Sequence, residues 1–565
     1  MPQTVAQAIL ELLAGYQVRF LFGNPGTTEL PLVDALSSQD RIRYILGLHE
    51  VPVMSMADGL AQASGGLGFV NLHISCGLGN AMGMLYNAYR SGTPLLVTAG
   101  QQDRRLLMEE PLLWSEMDRV ARPWTKWAVE VHRAPDVLPV LRRAVQCALT
   151  PPTGPVFLSW PMDVQAELID QPVQAAAVID PRVRAPAAAL QQAAQLLAGA
   201  QNPVILAGSR VTEAGAIDAL VQVAETLGAP VMAEPGTTHG RIPFPCTHPL
   251  SAPGLPLWSP EIRQRLEPYD VALVAGMDLF RQYVYHEPQC PVPEHLRLIH
   301  ADQDSWQLGK NHPLAVGLWG HLQPTLEELA QLLRRTMSED QRRRALARAE
   351  RHQAEHHRRK KQLEQQALAQ REQRPLAPLV LMHTLAQVLP ADAAVVEEAV
   401  TTTSTTLERL GAIRRPEGYF GHRGWALGWG LGCALGVKLA WPDRPVLAIV
   451  GEGAAMFGIQ ALWTAAHYRI PVTFVIPNNA AYQILKVGAL GLGLPGARRG
   501  QFVGCDLKEP EIDFVALAQA LGVKAVTATE PEQVAELVRQ GLAGEEPLLI
   551  DVPIARELPG RLGYG

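Results

Sequence analysis

A chain of 565 residues is too long for one hydrophobic core, and three domains of ordinary size is the natural division. Hydrophobic residues at 47% and charged residues at 18% are globular values. A net charge of −6 over this length argues against a nucleic-acid partner and against a membrane surface.

The six cysteines, Cys76, Cys147, Cys246, Cys290, Cys433 and Cys505, are scattered and form no CxxC pair. They indicate neither a zinc site nor a disulfide framework. Free thiols fit a reducing compartment, so a cytoplasmic location is expected. The first residues, MPQTVAQAILELLAGY, lack a basic leader region and carry Glu11 inside an apolar pattern, which reads as an amphipathic helix. The uncharged stretch 59–89 is broken by Gln62, Asn71, His73, Asn80 and many glycines, so it does not read as a membrane span.

Residues 1–175 read as a first α/β domain. A helical stripe (Ala6, Ile9, Leu10, Leu12, Leu13) precedes a strand at 18–22, which breaks into the corner GNPGTTE, residues 23–29. A strand at 42–48 ends at His49-Glu50 and is followed by a helix at 54–63. A strand at 68–72 ends at His73, and the glycine-rich segment 75–83 leads into a helix. Another strand covers 94–99. Thr27, Glu50 and His73 thus lie just past strand ends, where open parallel sheets collect ligands.

Residues 180–335 read as a second α/β domain of about five strands, with apolar runs at 203–208, 230–233, 271–276 and 296–302 and a helix at 214–227. No glycine fingerprint for a nucleotide appears, so a scaffold is expected. Residues 338–372 are charged and helix-prone with no sustained apolar stripe, which predicts a solvated connecting helix. His356-His357 has no acidic or cysteine partner at ligand spacing.

Residues 373–565 hold the most specific stretch, VGEGAAMFGIQALWTAAHYRIPVTFVIPNNAAYQIL, residues 450–485. It reads as strand, glycine turn, helix, strand and polar corner. A right-handed crossover brings the two strand ends together, with Glu452 and Asn479 as oxygen ligands beside a helix N-terminus. Such a corner suits Mg²⁺ or Ca²⁺ holding a diphosphate. The alternative is an ordinary dinucleotide-type turn with a surface Asn pair.

A G-[DE]-G turn followed by a helix, a strand and a paired Asn resembles the thiamine diphosphate signature. The segments FGNPGTTELP, LHEVPVMSMADGLAQASGG, FVNLHISCGLGNAMG and TPLLVTAGQQDRR closely resemble the pyrimidine-binding half of the benzoylformate decarboxylase group. The resemblance covers nearly the whole chain. It implies three doubly wound parallel-sheet α/β domains: pyrimidine-binding, middle and diphosphate-binding. It also implies thiamine diphosphate and Mg²⁺ (or Ca²⁺) as cofactors.

Residue by residue, the resemblance makes Glu452, Asn479 and the Ala481 carbonyl the metal ligands. Glu452 stands where the family usually has Asp, which leaves the choice of metal open. Gly451, Gly453 and Ala454 would face the diphosphate, with Thr401 and Thr402 donating to its oxygens. The Trp425 carbonyl would accept from the 4′-amine, and Leu427 would be the wedge that bends the cofactor, although a core Leu reads the same. Tyr482 would contact the cofactor, and Thr28, Tyr283, Ile484 and Leu485 would line the substrate pocket. Tyr283 stands where relatives supply a second active-site His.

Glu50 would hydrogen-bond the pyrimidine nitrogen and so activate the cofactor. Without the resemblance it reads equally as an acid at a helix N-terminus. His73 would transfer a proton, and Thr27 would hold the substrate carboxylate or simply cap a helix. The implied reaction is non-oxidative decarboxylation of a 2-oxo acid to an aldehyde through a C2 ylid and an enamine. The alternatives are an acetolactate synthase-like carboligase making 2-hydroxy ketones, and a non-catalytic protein of the same fold. The implied partner is the chain itself, as a homodimer or a dimer of dimers, because two half-sites must meet across a subunit interface.

Overall fold

The computed structural model describes residues 2–177, 179–234, 240–282 and 285–558. Its core is three parallel sheets, one per domain. The first contains β1 (Phe20–Gly23), β2 (Arg43–Leu46), β3 (Gly68–Leu72), β4 (Leu95–Gln101), β5 (Trp127–Glu130) and β6 (Val156–Pro161), in the order β2-β1-β3-β4-β6-β5. Helix α1 (Glu50–Ser64) follows β2, and α2 (Ile74–Ser91) follows β3. The expected helix at 54–63 therefore begins earlier, with Glu50 as its first residue and His49 as its N-cap.

The middle sheet holds β7 (Pro203–Ala207), β8 (Val231–Ala233), β9 (Val271–Ala275), β10 (Arg297–Asp302) and β11 (Val316–Trp319), in the order β8-β7-β9-β10-β11. The single helix expected at 214–227 is instead two, Arg210–Glu213 and Ile217–Leu227. Gly215 between them has φ +62°, which a right-handed helix cannot contain. Helix α3 (Ser259–Leu266) packs on this domain. Helix α4 (Glu339–Ala369), started by a Ser338/Gln341 capping box, lies in sequence between the middle and third sheets. It is mostly exposed, but Ala345, Arg348, Leu363 and Ala367 are buried.

The third sheet contains β12 (Ala394–Glu398), β13 (Tyr419–Phe420), β14 (Val446–Val450), β15 (Thr473–Asn478), β16 (Lys524–Thr527) and β17 (Leu548–Pro553), in the order β13-β12-β14-β15-β17-β16. Counted within each domain, this is the same order as in the first sheet. Both sheets therefore reverse direction at the same point, between their first and third strands. Ligands of open α/β sheets gather in the crevice at that reversal. The residues VLAIV of β14 are all buried, as a strand covered on both faces requires.

The first and third domains of the chain pack through α1 and α5 (Trp429–Ala440). Glycines permit the approach: a Cβ on Gly436 would lie 2.0 Å from the Met56 carbonyl oxygen, and one on Gly59 would lie 2.3 Å from that of Cys433. Arg241 ties all three domains together by donating to the carbonyls of Gln62 (3.0 Å), Glu417 (2.6 Å) and Tyr419 (2.9 Å).

Candidate active site

In the third domain the site is built from the exits of β12, β14 and β15, which are neighbours in the sheet. Gly451 N–H donates to the Glu398 carbonyl at 3.1 Å, which fixes the first two exits side by side. Glu452 opens a one-turn helix, Glu452–Ala455, separate from α6 (Ala461–Tyr468). Gly453 and Ala454 lie in that short helix rather than at the start of the longer one.

The Glu452 carboxylate is buried and accepts from Ala481 N–H at 3.0 Å, across the gap between the β14 and β15 exits. Burial pushes it up to about 7, against the backbone N–H groups that favour the ionised form. Asn479 is also buried, and its Oδ1 has no hydrogen-bond partner. An orphaned buried oxygen beside a buried carboxylate is costly unless a cation or donor completes it. This all-oxygen donor set fits Mg²⁺ or Ca²⁺, as does the nearby Ala481 carbonyl, which has a second lone pair besides the one taken by Gln483 N–H.

Thr402 is buried and Thr401 half-buried, both in the short helix Val400–Thr403 after β12. Tyr482 precedes α7 (Gln483–Gly491), where Ile484 is half-buried and Leu485 is 51% exposed.

The segment 422–428 is pinned from several directions. Trp425 has φ +63°, a left-handed conformation uncommon for a bulky residue. Its N–H donates to His422 Nδ1 at 2.9 Å. Burial pushes His422 down to about 4, so the imidazole is neutral. On the C-terminal side, the buried Glu398 carboxylate accepts from the N–H groups of Gly428 (2.9 Å), Trp429 (3.2 Å) and Gly430 (2.7 Å) and so caps α5. Burial pushes Glu398 up to about 7 against those three donors.

Between these fixtures, Asn87 of α2 holds Ala426 by both peptide groups. Its Nδ2 donates to the Ala426 carbonyl at 2.8 Å, and its Oδ1 accepts from the Ala426 N–H at 3.0 Å. Leu427 therefore sits between two clamped neighbours and is half-buried. Arg423 anchors the start of the segment to the middle domain. It lies 3.4 Å from Asp278 and 3.7 Å from Glu234, and Arg210 binds Asp278 and Asp302 in the same buried network. These strand ends of the middle domain are thus filled by ion pairs.

In the first domain, Glu50 is buried and its Oε2 accepts from Asn80 Nδ2 at 3.0 Å. His73 precedes α2, and its Nδ1 lies 2.8 Å from Glu29 Oε2. Glu29 is fully buried and also accepts from Gly100 N–H (2.9 Å) and Thr28 Oγ1 (2.7 Å). The Thr28 hydroxyl is thus committed to the interior, whereas Thr27 is exposed. Tyr283 lies outside the described residues. Among the described residues, no hydrogen bond or ion pair joins Thr27, Glu50 or His73 to the third-domain group.

Family models match all three domains. The N-terminal TPP binding domain of thiamine pyrophosphate enzymes matches residues 3–120, their central domain 190–329, and their C-terminal TPP binding domain 399–552. The chain belongs to the thiamine pyrophosphate enzyme family. It is 35% identical to a benzoylformate decarboxylase of Pseudomonas aeruginosa, over 98% of this chain and 99% of that protein. It superposes on a thiamine diphosphate-dependent 4-hydroxybenzoylformate decarboxylase of Rhodococcus jostii with a TM-score of 0.86 at 31% identity, covering 99% of this chain and 100% of that one. It is 27% identical to a probable acetolactate synthase large subunit of Methanocaldococcus jannaschii, over 98% of this chain and 93% of that protein.

Glu29, Asn87 and Glu398 were not singled out from the sequence. Glu29 lies inside the GNPGTTE corner. The role of Asn87 has no local signal, because its partner is 339 residues away.

Proposed function

We propose that the chain is a thiamine diphosphate-dependent decarboxylase that converts a 2-oxo acid to an aldehyde and carbon dioxide. The observation that carries this reading is the buried pair of Glu452 and the partnerless Asn479 Oδ1, on neighbouring strand exits of a sheet that matches the family's C-terminal domain. When bound, thiamine diphosphate supplies the nucleophilic thiazolium carbon and the electron sink for the carbon–carbon bond cleavage.

The chain's own residues do the rest. Glu452, Asn479 and the Ala481 carbonyl hold Mg²⁺, or Ca²⁺. Gly451, Gly453, Ala454, Thr401 and Thr402 hold the diphosphate, and Tyr482 packs nearby. The Trp425 carbonyl would accept from the aminopyrimidine, and Leu427 would pack against the bound cofactor. Glu50, oriented by Asn80, places a proton at the pyrimidine nitrogen. His73, oriented by Glu29, delivers a proton to the product carbon. Thr27 binds the substrate carboxylate, and Ile484 and Leu485 shape its pocket.

Among the described residues, Glu50 and the diphosphate corner are not bonded to one another, which supports assembly as a homodimer or a dimer of dimers with each site shared between two subunits. No described helix is long and apolar enough to cross a membrane. The six free cysteines support a cytoplasmic location. Carboligation to 2-hydroxy ketones is the second reading, favoured by the acetolactate synthase-like relative. Incubation with a panel of aliphatic and aromatic 2-oxo acids tests both readings: carbon dioxide with a free aldehyde supports the first, and a 2-hydroxy ketone as the main product supports the second.

A further inference from the structure

A cavity of about 320 Å³ lies where the middle domain, α4 and the third domain meet. Its size is at the lower end of small-molecule sites. Val231, Ile242, Phe244 and Leu363 give it apolar walls. Arg265 of α3, Arg359 and His356 of α4, and Arg409 of the third domain converge on it. Nothing in the proposed reaction uses any of these residues.

Three guanidinium groups line this one cavity. Burial depresses all three, and Arg359 further depresses both Arg265 and Arg409. Only part of this charge is balanced. Arg359 lies 3.3 Å from Glu355 and donates to the Ser251 carbonyl at 3.3 Å, and Arg265 donates to the Gly254 carbonyl and is attracted by Glu261. The Arg409 guanidinium makes no hydrogen bond or ion pair among the described residues. The neighbouring Glu408 carboxylate also lines the cavity and attracts Arg409, but burial disfavours its ionised form and raises its pKa. Each guanidinium carries five N–H donors, and most of those here remain available to a bound anion.

The wall contributed by the third domain connects this cavity to the cofactor side. Thr405 lines the cavity, and Ser404 and Thr405 are consecutive left-handed residues with φ +41° and +56°. They follow directly on Val400–Thr403, the short helix that carries Thr401 and Thr402. Two adjacent non-glycine residues in that region are strained and persist only while their surroundings hold them.

We propose that this cavity binds a small organic anion, a phosphate ester or carboxylate on an apolar body, and that its occupancy alters the grip on the diphosphate. The second half of this statement rests on the assignment of Thr401 and Thr402 to the diphosphate. Phenyl phosphate has the required chemistry, and inorganic phosphate lacks the apolar body.

The test is calorimetric titration of both probes into protein saturated with thiamine diphosphate and Mg²⁺, which keeps the cofactor's own phosphate site occupied. Phenyl phosphate should bind saturably and more tightly than inorganic phosphate. Its affinity should fall roughly tenfold or more in the Arg359→Gln/Arg409→Gln double variant. Arg409→Gln alone, which removes no hydrogen bond or ion pair among the described residues, carries the same test if the double variant melts early. Absence of binding, or undiminished binding in the variants, would overturn the site. The dissociation constant of thiamine diphosphate, measured with and without phenyl phosphate, should differ by about fivefold or more. An unchanged constant would overturn the coupling. Titration of the cofactor with no anion present separates either outcome from a failure of the cofactor assignment.

Discussion

His73 Nδ1 lies 2.8 Å from the Oε2 of Glu29, and Glu29 is fully buried while His73 stays one-quarter exposed. One carboxylate, held from behind by Gly100 N–H and the Thr28 hydroxyl, therefore orients an imidazole that faces outward. A carboxylate on one ring nitrogen leaves the other free to exchange a proton with a ligand. Replacing His73 with Ala should lower turnover by ~10²–10⁴, the usual contribution of a positioned acid, with cofactor affinity unchanged. Glu29→Gln should lower turnover by less and displace the pH profile of kcat. Steady-state kinetics of both variants across pH checks this; equal effects on KM alone would contradict it.

The Asn87–Ala426 clamp gives a second prediction. Asn87→Ala removes two hydrogen bonds from a half-buried segment, at about 1–3 kcal/mol in total. If that segment grips the aminopyrimidine, thiamine diphosphate should bind about 5–150-fold more weakly, by the same free energy. Asn87→Asp keeps the acceptor for the Ala426 N–H but loses the donor to its carbonyl, and should fall between Ala and the parent. Fluorescence titration of the cofactor into the three proteins measures the order.

The strands that carry the candidate site are legible in the sequence, for physical reasons. The runs at β14 and β15 are buried on both faces, so they stand out as unbroken apolar stretches between a glycine turn and an Asn pair. Edge strands are less visible: in β11 exposed and buried residues alternate, and β5 is only partly covered, so neither forms an apolar run. Glu29 escaped notice because its importance depends on β1 and β3 being neighbours, which spacing alone does not reveal. Asn87 and Glu398 act on backbone groups, and a backbone partner leaves no trace in residue type.

The metal corner predicts a chelation result. If Glu452 and Asn479 hold the cation that bridges the diphosphate, excess chelator should release the cofactor and abolish turnover. Mg²⁺ and Ca²⁺ should each restore binding, because the donors are all oxygens, which both ions accept. Glu452→Gln should require a roughly tenfold or higher cation concentration for half-saturation. Cofactor binding unaffected by chelator would contradict the assignment.

The neutral, buried His422 predicts a pH dependence of stability. Its pKa is about 4 in the folded chain against an ordinary value of 6.5. The unfolded chain therefore takes up a proton first, and stability falls as pH drops from 6.5 towards 4, by about 3 kcal/mol at most. Glu398, raised to about 7, acts in the opposite sense: its contribution is present below 4.5 and is lost as pH rises through 7. The two overlap, so the test is a difference. His422→Gln should lose stability less steeply than the parent between pH 6.5 and 4, in melting temperatures recorded across that range.

The most direct test is carbon dioxide release from a panel of 2-oxo acids, with thiamine diphosphate and Mg²⁺ present, by the parent chain and by Glu50→Gln. The account predicts release by the parent that saturates with cofactor, and a loss of ~10² or more in the variant with the fold intact. Release by Glu50→Gln at the parent's rate, or no release by the parent from any acid in the panel, would contradict it.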